Sequence, residues 1–64
     1  MFKTLEEMEA AAIAGLKPVS LNHSGFNLIV YWHVIWGYIY EAQGRYISRA
    51  EAEAWVARMT KGVV

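Results

Sequence analysis

Phe26-Asn27-Leu28-Ile29-Val30-Tyr31-Trp32-His33-Val34-Ile35-Trp36-Gly37-Tyr38-Ile39-Tyr40 holds most of the hydrophobic and aromatic mass of the chain. Such a run can be a membrane helix, a buried helix or a strand. A membrane span takes roughly 20 apolar residues, and this run is shorter and carries Asn27, His33 and Gly37, so a membrane anchor is not expected. Branched and aromatic side chains suit a pleated surface. The even positions Phe26, Leu28, Val30, Trp32, Val34 and Trp36 are uniformly large and apolar, whereas the odd ones mix Asn27, Tyr31, His33, Gly37 and Glu41 with Ile29 and Ile35. That alternation predicts a long strand with its even face in the core, in which Gly37 marks a bulge or bend. A helix capped by Ser24 and stopped by Gly37 is the alternative.

The flanks supply the elements that cover this strand. Thr4-Leu5-Glu6-Glu7 reads as a capping box opening a helix that runs to about Ala14, with Gly15 placed to close it and Leu5, Met8, Ala12 and Leu16 as its apolar stripe. Pro18 then forbids helix, and the alternation at Val19 and Leu21 predicts an edge strand that turns through Asn22-His23-Ser24-Gly25. Between Tyr38 and Ile47 a hairpin is expected, with Ala42 and Gln43 central in a type I turn and Gly44 left-handed after it. This register sets Glu41 opposite Arg45 as a cross-strand charge pair. Ser48-Arg49-Ala50-Glu51 is a second capping box, opening a helix whose stripe is Ala52, Trp55, Val56 and Met59 and whose stop is Gly62. The expected fold is α+β, one two-layer domain over residues 1–64. It comprises an N-terminal helix, an antiparallel sheet of three or so strands and a C-terminal helix, with Leu5, Met8, Trp32, Trp36 and Trp55 in one core.

A chain of 64 residues buries only about 60% of the surface its unfolded form exposes, and the absence of cysteine removes disulfides as a remedy. Dense aromatic packing or self-association is left. Hydrophobic residues make up 56% of the chain, with three Trp and four Tyr, so part of this mass belongs at an interface. Six basic residues balance six acidic ones, which gives no field to gather nucleic acid or anionic lipid. Acids near the start leave no export signal, and the cytoplasm is the expected compartment. His23 and His33 stand ten residues apart and form no ligand cluster. Ser20, Ser24 and Ser48 serve as strand, turn and cap. No enzyme, metal, cofactor or small-molecule substrate is expected.

The run Gly37-Tyr38-Ile39, then Gly44-Arg45-Tyr46-Ile47-Ser48-Arg49-Ala50-Glu51-Ala52 and Trp55, resembles the wing and following helix of excisionase-type and MerR-like winged helix-turn-helix proteins. The resemblance implies a first helix opening at Thr4, a recognition helix from Phe26 to Trp36, and DNA phosphate contacts at Arg45 and Arg49. Such a recognition helix carries base-reading donors, and Phe26 to Trp36 offers only Asn27 and His33, so nucleic acid is not the expected partner. The expectation instead is a protein–protein interaction module. With two helices over the even face of the sheet, Ile29, Tyr31, His33 and Ile35 are left toward solvent as the partner-binding residues, covered by a second copy in a homodimer or by another protein. In size, charge and lack of cysteine the chain is similar to small phage and mobile-element inhibitors, anti-CRISPR proteins among them. That likeness is one of bulk properties and involves no motif.

Overall fold

The computed structural model describes residues 2–61. Both capping boxes form. The Thr4 hydroxyl accepts from the Glu7 N–H at 3.2 Å, and the Glu7 carboxylate accepts in return from the N–H groups of Lys3 and Thr4 at 2.6 and 3.2 Å. Those two backbone donors hold the Glu7 carboxyl below the usual glutamate range. Helix α1 (Leu5–Gly15) starts there, and the Ser48–Glu51 box starts α2 (Arg49–Thr60) in the same way. Between the helices lie β1 (Val19–His23), β2 (Phe26–His33), β3 (Gly37–Ala42) and β4 (Arg45–Ile47), paired antiparallel in sequence order.

The fold is α+β, as expected, with both helices on one face of the sheet. Helix α1 lies over β1 and β2, and α2 over β2 and β3. The register puts Val19 opposite Val30, Leu21 opposite Leu28, Tyr40 opposite Val30 and Ala42 opposite Leu28. These residues meet Leu5, Met8, Ala12, Ala52, Val56 and Met59 from the helices in one buried core, against which Trp55 packs half-buried. Small residues at Ala12 and Ala52 let the helices lie close on the sheet.

The long strand from Phe26 to Tyr40 is two strands. Gly37 has a φ of +76° and begins β3, so it ends a hairpin loop and makes no bulge. Val34, Ile35 and Trp36 form that loop. Alternation therefore holds only through His33, and of the even face only Leu28 and Val30 lie in the core, Phe26, Trp32, Val34 and Trp36 being exposed. Val34 is 84% exposed and Trp36 75%. Trp32, last of the even face, is 37% exposed and lies edge-on to Tyr38 with ring centroids 5.0 Å apart.

The β3–β4 turn is also one residue different. Ala42 stands opposite Arg45 and Glu41 opposite Tyr46, and Gln43 and Gly44 both have positive φ, 52° and 78°. This is a two-residue type I′ turn, whose twist matches the strands it joins. The Glu41–Arg45 pair does not form, because these residues point to opposite faces. Ser24 and Gly25, at 50° and 83°, make the same turn between β1 and β2. At the end of α1 it is Leu16, not Gly15, that is left-handed, and its side chain is exposed. Gly62, the expected stop of α2, lies outside the described residues.

Among the described residues one charged side chain is buried. Glu9 is 8% exposed, and its carboxylate accepts from Arg49 through both Nε (3.0 Å) and Nη2 (3.1 Å) and from the Tyr40 hydroxyl. Burial alone would raise the Glu9 carboxyl, but the hydrogen bonds from Arg49 and Tyr40 outweigh it and hold the group below the usual range. Burial and the neighbouring carboxylate push the Tyr40 hydroxyl well above its ordinary value. The bridge ties α1, β3 and the start of α2 together.

Candidate interaction surface

The face of the sheet away from the helices has no element over it among the described residues. Its side chains divide by strand position. Toward the two-residue turns it carries Asn22 and Asn27; Ser20, Ile29, Glu41 and Tyr46 form one row across its middle; toward the β2–β3 loop it carries Tyr31, His33 and Ile39. Tyr31 stands opposite Ile39, and Glu41 stands between Ile29 on one neighbouring strand and Tyr46 on the other. This clustering shows in the chemistry of Tyr31. Partial burial first, then the Tyr46 hydroxyl and the Glu41 carboxylate, push its hydroxyl up to about 12. At neutral pH it is a neutral hydrogen-bonding group set in aromatic surroundings.

The loop beyond this cluster is held by a side chain. His33 Nδ1 accepts from the N–H of Ile35 at 3.1 Å and of Trp36 at 3.3 Å, which places the ring proton on Nε2. The imidazole also stacks on the Trp36 indole, 4.7 Å between centroids and 23° between planes. A loop so pinned points Val34, Ile35 and Trp36 outward. Ile35 is 75% exposed and Tyr46, on β4, 74%. Trp36 and Tyr46 line one groove of about 580 Å³ together with Tyr31, His33, Tyr38 and Ile47.

Of the residues expected to bind a partner, Ile29, Tyr31 and His33 lie side by side on the open face of β2. Ile35 does not join them, since the strand has ended, and stands on the loop tip. Trp36, Ile39 and Tyr46 complete the surface and were not expected there. Ile39 and Tyr46 follow once the hairpins are drawn in register, whereas Trp36 is hidden by its strand-like neighbours.

The residues implied by the winged-helix resemblance are placed differently. Phe26 to His33 is a strand, so the recognition helix is not formed; a hairpin and a following helix are present where the resemblance puts them. Arg45 opens β4, exposed, on the helix side of the sheet. Arg49 is held by Glu9, by Glu53 at 3.0 Å and by Glu6 at 3.7 Å, and this fork of carboxylates makes it a strut between helices instead of a phosphate ligand. No protein-family model, characterised protein or solved structure matches this chain.

Proposed function

We propose that the chain is a non-enzymatic protein-interaction module that binds through the aromatic end of its open sheet face and the β2–β3 tip. The observation that supports this most is the exposure of Trp36 and Tyr46 around one groove and of Ile35 on the adjoining tip, at the end where Tyr31, His33 and Ile39 already gather. Exposed aromatic side chains of this size, with polar tips, are what interface centres use. A contiguous apolar surface on so small a domain marks a place where another surface sits. The His33 ring has its free nitrogen lone pair engaged by two backbone donors, which gives it a structural task.

The partner in this reading is a protein, either a second copy or a different chain. The bulk likeness to phage and mobile-element inhibitors, anti-CRISPR proteins among them, makes a host protein the first heterologous class to test. Tyr31→Glu tests the reading, because it sets a second carboxylate beside Glu41 in the middle of the face and leaves the helix-side core untouched. Light scattering should report a smaller particle, or a pull-down should lose its partner, while circular dichroism is kept. A variant that keeps both its mass and its partners refutes the role of this face.

A further inference from the structure

Strand β4 is shorter than the strand it pairs with. All six residues of β3 pair with β2, but only Tyr40, Glu41 and Ala42 pair with β4. After Ile47 the chain leaves the sheet at Ser48 and enters α2 on the helix side. Beside Gly37 and Tyr38 the next lane of the sheet holds no strand among the described residues, and the place beside Ile39 is closed by the chain leaving Ile47. Two residues at 3.3–3.4 Å each make this notch about 7 Å long. The groove described above lies at the notch: Tyr38 and Ile47 belong to the helix side of the sheet, and Tyr31, Ile39 and Tyr46 to the open side. Side chains from both faces can line one groove only where the sheet margin is cut away.

The backbone groups facing the notch follow from the ladder. Ala42 and Arg45 flank a two-residue turn and exchange both hydrogen bonds, so Ala42 points its N–H and C=O at β4. Counting back, Glu41 points at β2, Tyr40 at β4, Ile39 at β2 and Tyr38 into the notch. The Gln43 N–H, which donates to the Asn27 carbonyl at 3.4 Å, keeps the same phase. Tyr38 therefore offers one donor and one acceptor, spaced for a strand, between walls of aromatic side chains.

We infer that this notch takes an extended segment of a partner protein as a short added strand, paired through its backbone to Tyr38. The inference rests on the protein-binding reading above and names the form the partner takes there. In such a strand the residue opposite Tyr38 points to the helix side, beside Tyr40 and Ile47. The neighbour opposite Gly37 points to the open face and meets no side chain on β3, which leaves room for an aromatic ring against the stacked His33 and Trp36. The neighbour on the Ile47 side turns out of the lane past Tyr46 and the Glu41 carboxylate, where an acidic group is disfavoured. A second copy of the chain is a poor occupant, because with two residues free, edge-to-edge pairing about Tyr38 drives each β2–β3 tip into the other copy's β4. A single extended segment has no such obstacle.

The test uses the full chain and the blocked peptide acetyl-Lys-Val-Thr-Phe-Lys-amide, read by amide hydrogen exchange. In the free chain the Tyr38 amide should exchange fast and the Ile39 amide, paired to β2, slowly. At a peptide concentration about ten times its Kd, Tyr38 exchange should slow about tenfold, since only the free fraction of the population still exchanges. A chemically synthesised chain with an ester oxygen in place of the Tyr38 N–H should bind the peptide up to about tenfold more weakly with an unchanged circular dichroism spectrum. Strand addition is refuted if Tyr38 is as protected as Ile39 in the free chain, or if its exchange stays the same at millimolar peptide. Peptide-induced shifts confined to Tyr31 and Tyr46 leave the open-face reading standing and remove this one. Protection of Tyr38 that survives Tyr31→Glu does the reverse.

Discussion

The two ends of the sheet are built on opposite rules. At one end Ser24-Gly25 and Gln43-Gly44 close two hairpins with the small, polar or flexible residues that type I′ turns require, and no glycine there has any neighbour that a side chain would strike. At the other end a single three-residue loop presents Val34, Ile35 and Trp36 to water. The first end is explained by folding alone, because each turn residue has the conformation its backbone needs. The second is not, since exposed branched residues add nothing to a turn and the stack on His33 leaves most of the Trp36 indole in water. The difference separates what holds the sheet together from what the sheet presents.

The contrast can be broken by mutation, beginning with the core that both ends share. Leu28→Ala empties a fully buried site near the polar end and should cost about 2–5 kcal/mol, close to the whole stability of a domain this size; urea titration checks it. Gly44→Ala should cost about 1–2 kcal/mol in the same titration, since the new Cβ meets open space and only the left-handed backbone resists it. His33→Ala should lower stability by about 1 kcal/mol, because the Ile35 and Trp36 N–H groups lose one shared acceptor but remain reachable by water. It should also broaden the amide resonances of Val34 to Trp36, which Gly44→Ala leaves sharp. Trp36→Ser should move stability by less than about 0.5 kcal/mol and yet weaken partner binding; a large loss of stability instead would show that the tip is part of the fold.

Acid should leave the contrast between the ends untouched and lower both together. Glu9 and Glu7 have carboxyl groups held below the usual 4.5, so the stability they contribute is fully present above that pH and is lost as pH falls through their folded-state values. Tyr40 is raised above the usual 10.0, so its contribution is present below pH 10 and is lost as pH rises beyond it. A melting temperature recorded against pH should fall on both sides, and Glu9→Gln should flatten the acid limb.

Residues that act on their immediate neighbours were legible in the sequence. Both capping boxes, the two helical stripes through Met8 and Val56, the edge strand at Val19 and the even-face core at Leu28 and Val30 all depend on side chains within a few positions of each other. The loop at Val34 to Trp36 was not legible, because branched and aromatic residues read alike in a strand and in a loop, and the feature that ends β2 is the imidazole of His33 turning back on the next backbone. Gly44 fits either of two turns, and only the positive φ of Gln43 decides the register. The open face was readable at Ile29, Tyr31 and His33 from alternation, whereas Tyr46 required the correct register and Trp36 the correct end of the strand. Glu9 sits on the helix stripe without looking like core, and its partner Arg49 is forty positions away.

That last separation bears on the order in which the chain folds. Every strand pairs with its neighbour in sequence, and both helices carry their own start signals, so most native contacts close short loops, a topology that folds rapidly. The Glu9–Arg49 bridge is different: it joins the two helices across the entire meander, and the entropy of closing so long a loop favours its forming after the sheet. An interaction absent from the folding transition state acts on the reverse rate. Removing the bridge should therefore leave refolding nearly as fast as before and hasten unfolding, which makes this one buried carboxylate a latch on the finished molecule.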